Sequence, residues 1–289
     1  MKFALFLGCM IPRRLPFLEK ATRSVLELLD IETVDLPFGC CPDPSAIHSF
    51  SKKAWMSLAA RNLVLAEEQG LNILTLCNGC FETLKVANTE LKNNSELKKE
   101  INGVLKEAGK AYKGTIEIKH VYEIVAEFCK AGNTDNIKKL VTRPLGLKIA
   151  VHYGCHLLKP AAILQVDNPD DPSTFDCLIE AIGCESVDYT EKLLCCGFGT
   201  KAIDERTSYG ISRNKLKAIK ESGVDGIAVT CPSCFQQFDA GQVIIKKEFG
   251  EEFNIPVYYF MELFALSMGV TEEEIGLNLH RIKIKGATS

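Results

Sequence analysis

Five cysteines recur in the same order in each half of this chain, and this repeat constrains the fold more than any other feature. Each set consists of a single cysteine, an adjacent pair and a C-x-x-C motif. The first set is Cys9, Cys40, Cys41, Cys77 and Cys80, and the second set is Cys155, Cys195, Cys196, Cys231 and Cys234. Because the order and approximate spacing are shared by the two halves, the sequence predicts an internal duplication.

The segments around these cysteines repeat as well. Residues 3–10 align with residues 149–156, and residues 73–81 align with residues 227–235. In both copies an apolar run typical of a strand leads directly into a cysteine. A further block aligns residues 118–125 with residues 257–264. Alternating strands and helices in each copy predict an α/β fold made of two tandem, duplicated small domains with parallel sheets, related by a pseudo-twofold axis.

Local patterns indicate where the individual elements and the domain boundary lie. Strands are expected at residues 3–7, 72–76, 116–118 and 147–153, and helices at residues 18–29, 51–69 and 121–130. Ser51 is the expected N-cap of the second of these helices. Pro12 and Pro16 predict a loop, and residues 91–113 predict one or two solvated helices. Periodicity is lost over residues 132–146, so we predict a first cysteine-rich domain at residues 1–145 and a second at residues 146–289.

Bulk composition narrows the class of protein and the chemistry of its cysteines. The 289 residues are 46% hydrophobic and 25% charged with a net charge of −3, which is typical of a soluble globular protein and gives no reason to expect nucleic-acid binding. The sequence contains no signal peptide and no apolar run long enough to span a bilayer, so we expect a cytoplasmic protein. In a reducing compartment, cysteines at regular spacing, which here are ten of the 13, favour metal ligands or redox groups over disulfides.

Parallel α/β sheets gather ligands at the carboxyl ends of their strands, so the five cysteines of each copy are expected to converge there. Structural zinc and a cubane iron–sulfur cluster each take four ligands, so one cysteine per copy remains. That cysteine is either a free thiol or a bridge between two irons. A thioredoxin-type pair at Cys231 and Cys234 is a further alternative. We favour iron–sulfur over zinc.

Longer segments around the cysteines carry a resemblance to known proteins. These segments read FLGCMIPRR, LTLCNGCFETL, AVHYGCHLLKP, CCGFG and TCPSCFQQFD. The pattern resembles the cysteine-rich CCG domain, and over nearly its full length the chain is similar to the B subunits of the heterodisulfide reductases of methanogenic archaea. The first copy departs from the pattern, because it reads Cys40-Cys41-Pro42 rather than CCG.

The resemblance implies two non-cubane [4Fe–4S] clusters, each held by the five cysteines of one copy. It implies reduction of the mixed disulfide of coenzyme M and coenzyme B to the two thiols. It also implies a complex with a ferredoxin-like C subunit, and with a flavoprotein A subunit, which supply the electrons. Our hypothesis is that the duplication places two clusters on either side of one disulfide.

Other residues are candidates for proton transfer and substrate binding. His152 and His156 stand where the first copy has Phe6 and Met10. Either histidine is a possible proton donor, whereas the alternatives are a core position for His152 and a hydrogen bond to cluster sulfur for His156. Arg13, Arg14 and Lys159 are candidates for binding the sulfonate and phosphate of the family's substrate. The cysteines outside the repeat, Cys129, Cys177 and Cys184, are expected to be small buried hydrophobes.

Two other functions remain open at the level of sequence. One is an electron-transfer protein with CCG domains in a thiol:fumarate, succinate, glycolate or lactate redox complex, and the other is a zinc-bound scaffold. The chain lacks a nucleotide motif, because Gly197-Phe198-Gly199 has neither a third glycine nor a preceding strand. Electrons are therefore expected from a partner protein.

Overall fold

A computed structural model describes residues 1–43, 47–127 and 135–284 and contains two four-stranded parallel sheets. The strands are β1 (Lys2–Phe6), β2 (Glu32–Asp35), β3 (Asn72–Thr75), β4 (Ile118–His120), β5 (Lys148–His152), β6 (Glu185–Ser186), β7 (Gly226–Val229) and β8 (Val257–Tyr259). Their order is β2-β1-β3-β4 in the first sheet and β6-β5-β7-β8 in the second. The predicted duplicated α/β fold is confirmed.

Helices connect and cover the strands of both sheets. In the first half they are α1 (Met10–Arg14), α2 (Pro16–Leu28), α3 (Ile47–Phe50), α4 (Lys52–Glu67), α5 (Asn78–Asn93), α6 (Ser95–Leu105), α7 (Val121–Glu127) and α8 (Asp135–Leu140). In the second half they are α9 (Cys155–Leu158), α10 (Ala161–Leu164), α11 (Thr174–Ala181), α12 (Glu205–Glu221), α13 (Pro232–Phe249), α14 (Phe260–Ser267) and α15 (Glu272–Ile275). Because helices cover both faces, the central strands are almost wholly buried and read as continuous apolar runs.

Two local predictions are wrong, and each has a physical reason. Residues 10–14 form helix α1 rather than a loop, because Pro12 lies in the first turn, where its missing N–H is not needed. Strand β4 begins at Ile118 rather than Ile116. The carbonyl of Ile116 accepts hydrogen bonds from the side chains of Asn88 and Lys92, so it is already occupied where the sheet ladder would need it.

Other elements agree with the sequence or add to it. Ser51 caps helix α4 by accepting a hydrogen bond from the Ala54 N–H, as expected. The polar stretch after residue 91 completes α5 and forms α6, which is the two-helix alternative. The edge strands β2 and β6 and the short helix α8 were not predicted, because they are short and lack apolar periodicity. The end of the helix expected to reach residue 130 lies outside the described residues.

The two copies exchange helix contacts across their interface. Helix α14 of the second copy packs against α2 of the first, and α7 of the first copy packs against α11 of the second. The helices that follow the C-x-x-C turns also pack against the opposite copy: α5 contacts α9, and α13 contacts α1. The strands of the two sheets fall within residues 2–120 and 148–259, and we therefore propose the domain boundary at residues 145/146.

A buried ion pair fixes the C-terminal segment to this core. Glu262 and His280 are both completely buried, and Nε2 of His280 lies 2.9 Å from Oε1 of Glu262. The other carboxylate oxygen of Glu262 accepts the Tyr259 N–H at 2.8 Å, which caps α14. Asp239 accepts the N–H groups of Arg281 and Ile282. The segment after α15 is thus held by hydrogen bonds to two carboxylates.

Among the described residues, no helix has both the length and the apolar character needed to cross a membrane.

Replacing Glu262 by alanine should lower the free energy of unfolding by about 3 kcal/mol, because it leaves His280 and the Tyr259 N–H buried without a partner. Urea unfolding followed by circular dichroism measures this change. Glu221→Ala is the control, since Glu221 is exposed and should cost less than about 0.5 kcal/mol. Equal stability of the two variants would contradict the structural role of the pair.

His280 should make the stability of the protein depend on pH. Burial alone lowers the pKa of His280, but the Glu262 carboxylate outweighs burial and the net pKa is raised above 6.5. The stabilisation should therefore be fully present below pH 6.5 and disappear as the pH rises through the raised value. Urea unfolding of the wild type and His280→Gln across this range should show a difference that shrinks with increasing pH. A difference that grows with pH would contradict this account.

Candidate metal centre

The repeated cysteines lie at the point in each sheet where the strand order reverses. In the first sheet the chain passes from β1 outward to β2 and then to β3 on the other side of β1. Cys9 follows β1 and Cys77 follows β3, while Cys155 and Cys231 follow β5 and β7 in the same way. Loops diverge at such switch points, which makes them the usual ligand sites of open α/β sheets. The predicted convergence at the carboxyl ends of the strands is observed.

All ten repeated cysteines line one cavity of about 490 Å³ between the two copies. Neighbouring thiols influence one another's pKa in a series that runs Cys9, Cys40, Cys41, Cys80, Cys77, Cys231, Cys234, Cys196, Cys195 and Cys155, and the sulfurs of Cys234 and Cys196 lie 3.4 Å apart. Cys77 and Cys231 influence each other's pKa across the copy interface, so the series includes both sets. The two pockets therefore face each other and share a wall of sulfur.

The sulfur atoms differ in depth, and the two copies follow the same order. The first cysteine and the first member of the adjacent pair are exposed in both copies, namely Cys9, Cys40, Cys155 and Cys195. The second member of each pair and the C-x-x-C cysteines are buried or nearly so. Each copy thus has a buried end, where the copies meet, and an end that opens to solvent.

Three of the ten thiols, those of Cys41, Cys195 and Cys231, have a lowered pKa, whereas the pKa of the other seven is raised. The pKa of Cys231 is lowered well below the usual value because its sulfur accepts hydrogen bonds from Cys234 and then Cys77. Hydrogen bonds from Cys155 and then Cys196 likewise lower the pKa of Cys195. The backbone N–H groups of Gly197 and Phe198 donate to the sulfurs of Cys195 and Cys196. These donors stabilise thiolates, the form in which cysteine binds metals.

A glycine before the first cysteine of each copy allows the chain to approach the C-x-x-C turn closely. Gly8 and Gly154 both have positive φ angles, of 69° and 77°. A Cβ atom on Gly8 would lie 2.9 Å from the sulfur of Cys80, and a Cβ atom on Gly154 would lie 2.7 Å from Nδ2 of Asn78. Both distances are too short for carbon, so the cavity wall at these points needs glycine.

Buried polar side chains hold the loops that carry the adjacent cysteine pairs. In the first copy, Asn62 accepts the Gly39 N–H and donates to the carbonyl of Cys40. In the second copy, Ser212 donates to the carbonyl of Cys196 and Ser208 donates to the carbonyl of Gly197. Sequence analysis did not identify these residues, because single polar positions within a helix carry no distinguishing pattern.

Three hydrogen bonds between the copies fix the relative position of the C-x-x-C turns. Nδ2 of Asn78 donates to the carbonyl of Tyr153 at 2.8 Å and lies 3.0 Å from the hydroxyl of Thr230. In the opposite direction, the hydroxyl of Tyr259 donates to the carbonyl of Leu76 at 2.7 Å. Each bond ends one or two residues from a cysteine of the repeat. Sequence analysis did not identify Asn78. A signal was available, because the second copy has proline at the corresponding position and Asn78 therefore departs from the repeat.

The two candidate histidines lie in different environments. His152 is buried, with Nε2 at 3.3 Å from the sulfur of Cys234, and it faces a small adjoining cavity rather than the sulfur-lined one. His156 is partly buried and lines the sulfur cavity, with Nδ1 at 3.1 Å from Oε2 of Glu82 in the other copy. Both contacts are compatible with positioning or proton transfer, and their roles stay predictions.

The candidate cations lie outside the cavity. Arg13 and Arg14 are exposed at the end of α1, and Lys159 is exposed after α9. None of these three residues belongs to the described lining of the sulfur cavity, although Lys159 borders the small cavity beside His152. Substrate binding by these residues stays a prediction.

Of the three cysteines outside the repeat, the two that the structure describes do not line the sulfur cavity. Cys184 is buried, as expected, whereas Cys177 is exposed on α11 and the expectation of burial is wrong. The apolar run around Cys177 contributes Phe175, Leu178 and Ile179 to the core, and Cys177 lies on the opposite side of that helix. Cys129 lies outside the described residues.

The donor set of this cavity fits iron–sulfur chemistry. Thiolates are the usual ligands of iron–sulfur clusters, and ten of them meet here with N–H donors aimed at sulfur. Asp43 is the sole carboxylate among the described lining residues. The tightest group of ligand atoms is formed by His152, Cys196 and Cys234, which lie within 4.8 Å of one another. A single four-coordinate zinc ion in each copy would leave a cysteine over.

Replacing Gly154 by alanine should disturb the cavity more than replacing Gly223, which has a similar φ of 71° but open space around it. Gly223→Ala strains the backbone by about 1 kcal/mol, whereas Gly154 combines a φ of 77° with a ψ of 143°, a conformation nearly restricted to glycine, so its substitution strains the backbone by about 1–3 kcal/mol. Gly154→Ala also forces a collision with Asn78 and should cost about 1–3 kcal/mol more. Urea unfolding and iron content after anaerobic reconstitution measure the effect. Equal losses in the two variants would show that the close approach is unimportant.

Comparisons with known proteins agree with this geometry. The chain is 43% identical over 98% of its length, and 94% of the relative's, to a protein of Methanosarcina acetivorans named as the B subunit of a ferredoxin/F420H2-dependent CoB–CoM heterodisulfide reductase. It is 42% identical, with the same coverage, to a protein of Methanosarcina mazei named as the B subunit of a ferredoxin:CoB–CoM heterodisulfide reductase. A hypothetical protein of Helicobacter pylori, 19% identical, has the same fold, with a TM-score of 0.80 over 98% of this chain and 52% of that structure.

The model of the cysteine-rich domain, CCG, matches residues 3–85 and 149–239, and so includes one complete set of five cysteines in each match. Together with the identity to heterodisulfide reductase B subunits over nearly the full length, this match identifies the family. The chain belongs to the cysteine-rich CCG domain family and, within it, groups with the heterodisulfide reductase B subunits.

Proposed function

We propose that this chain is the catalytic subunit of a heterodisulfide reductase, an oxidoreductase that reduces the mixed disulfide of coenzyme M and coenzyme B. Two electrons and two protons convert one S–S bond into two thiols. The relatives named above act on the CoB–CoM heterodisulfide according to their names. The similarity covers almost the whole chain, so it supports the complete activity rather than a single module.

The observation that carries the proposal is the meeting of both cysteine sets in one cavity. An electron relay needs only a series of separate centres, whereas a reaction on one S–S bond needs two adjacent centres open to the same small molecule. All ten cysteines line this cavity, Cys77 and Cys231 influence each other's pKa across the interface, and the outer cysteines of both copies are exposed. This geometry supports one shared reaction site.

We propose that each set of five cysteines holds one non-cubane [4Fe–4S] cluster, as the family resemblance implies. When bound, such clusters supply single electrons and irons that accept sulfur ligands. The chain's own residues provide the five thiolates per copy and the N–H groups of Gly197 and Phe198 that donate to sulfur. Hydrogen bonds of this kind adjust the reduction potential of iron–sulfur centres.

We assign proton supply and substrate binding to the histidines and cations near the cysteines. His156 is our proposed proton donor, because it lines the cavity and its Nδ1 is oriented by Glu82. His152 contacts Cys234 from behind the cavity and is proposed to hold that sulfur in place. Arg13, Arg14 and Lys159 remain our proposed contacts for the anionic ends of the substrate, which extend out of the cavity toward the exposed rim.

Electrons must come from partner proteins, because the chain has no nucleotide motif of its own. The relatives are named as subunits, and we propose a complex with a ferredoxin-like iron–sulfur protein, the C subunit, and with a flavoprotein, the A subunit. We propose a cytoplasmic location for this complex.

Replacing Cys196 by alanine should abolish disulfide reduction, because it removes a ligand from the buried end of the second site. Iron content should fall from about eight to about four atoms per chain, since only the first site stays complete. The measurements are iron analysis of anaerobically purified protein and turnover of the heterodisulfide with a chemical electron donor.

Cys177→Ala is the matched control, because Cys177 is exposed and is not part of the cavity lining. This variant should keep both its iron and its activity. Full turnover by Cys196→Ala would overturn the proposed role of the second site. A colourless wild-type protein that binds zinc instead of iron would support the scaffold alternative, and an iron-loaded protein inert toward the disulfide would support electron transfer alone.

A further inference from the structure

A completely buried lysine lies behind the second set of cysteines. Lys215, in the middle of helix α12, has no exposed surface. Its ammonium group donates hydrogen bonds to the carbonyl oxygens of Glu191, Lys192 and Leu194, at 2.7, 2.9 and 2.8 Å. Those carbonyls belong to the turn that leads directly into the adjacent cysteine pair. Lys215 therefore fixes the path of the chain into that pair.

The hydrogen-bond pattern requires the charged form of this side chain. Three carbonyl acceptors occupy three N–H donors, and only an ammonium group has three. Among the described residues, no carboxylate lies within ion-pair distance of Lys215. The face of the Tyr189 ring, 5.3 Å away, adds a weak attraction. Lys215 is thus a buried positive charge that the protein does not neutralise with an acid.

The cysteines of the second site are close neighbours of Lys215, whose ammonium group binds the carbonyl of Leu194 beside Cys195, and the carboxylate of Glu191 has a smaller effect on the ammonium group than these cysteines. Cys234, Cys196 and Cys195 all interact electrostatically with its ammonium group. Because the group is buried, water and salt screen this interaction far less than they would at the surface. A positive charge held in this position favours any additional negative charge on the sulfur-lined pocket in front of it.

The first copy has a different arrangement. Counted from the helix N-caps Ser51 and Asp204, the residue that corresponds to Lys215 is Asn62, which is buried and uncharged and donates a hydrogen bond to the carbonyl of Cys40. The described wall of the first pocket instead includes the carboxylate of Asp43, which interacts unfavourably with negative charge on Cys9 and Cys41. The second pocket thus has a buried cation behind it, whereas the first has a buried neutral amide at the corresponding position and an exposed carboxylate in its wall.

We propose that Lys215 makes the second cysteine site the easier of the two to reduce, so that the first electron entering the protein resides there. This inference rests on the proposed iron–sulfur occupancy of both sites. Each site accepts one electron, supplied by the iron–sulfur partner protein in the complex and by dithionite in the test. Lys215 acts as a positioning residue, through its charge and its hold on the turn, and it does not touch the substrate.

The test is an anaerobic redox titration of the full-length, iron-reconstituted protein, followed by electron paramagnetic resonance. The wild type should show two separate midpoint potentials, and the higher one should be missing from Cys196→Ala. In Lys215→Met the higher midpoint should fall while the lower one stays unchanged. Lys215→Gln keeps two N–H donors for the turn but lacks the charge, so it should show the same shift even where Lys215→Met assembles poorly.

Two further variants separate charge from packing. Lys215→Arg retains the charge and should retain the higher midpoint, whereas a purely structural role would change it. Asp43→Asn removes the anion from the other pocket and should raise the lower midpoint. Unchanged midpoints in iron-replete Lys215→Met and Lys215→Gln would overturn this inference alone. A wild-type protein that binds no iron would overturn the cofactor proposal together with it.

Discussion

The contact between the two C-x-x-C turns is the feature on which the rest of this structure depends. Cys77 and Cys231 line the same cavity from opposite copies, and the residues beside Cys77 are tied to the second copy by hydrogen bonds in both directions, from Asn78 to Tyr153 and from Tyr259 to Leu76. Helices that follow the turns pack against the opposite copy. The interface is therefore built from the same segments that carry the sulfur ligands, and folding and site assembly are one process.

The duplication produces two similar pockets, but several residues around them differ between the copies. Such differences are expected if the two pockets bind different halves of one substrate. Asn78 crosses the interface, whereas proline stands at the corresponding position of the second copy. Glu123 and Glu262 both cap the helix after the last strand, but the first pairs with Lys85 and the second with buried His280. A symmetric pair of pockets would treat both halves of a substrate alike. An unsymmetrical disulfide, with different groups on its two sulfurs, matches pockets that are not alike.

The sequence predicted the fold and the ten sulfur positions well because those features are local or periodic. Apolar strands that end at cysteines, and a repeat that aligns them, place each cysteine at the end of a strand without knowledge of packing. The start of β4 was misplaced because the side chains of Asn88 and Lys92, far away in sequence, occupy the carbonyl of Ile116. Cys177 was misjudged because a short apolar run does not reveal which side of a helix faces the core.

What the sequence could not indicate is the role of isolated polar residues in buried positions. Lys215 occupies a helix rich in lysine, and most lysines in such a helix are solvated surface charges. Only the tertiary structure places three carbonyls around its ammonium group and the sulfurs beyond them. A buried charge without an acidic partner is costly, and here three backbone carbonyls reduce that cost while the cysteines of the second set interact with the charge. The same cost explains why the turn before Cys195 contributes its backbone carbonyls. These carbonyls solvate the cation without neutralising its charge, so the charge still acts on the nearby cysteines.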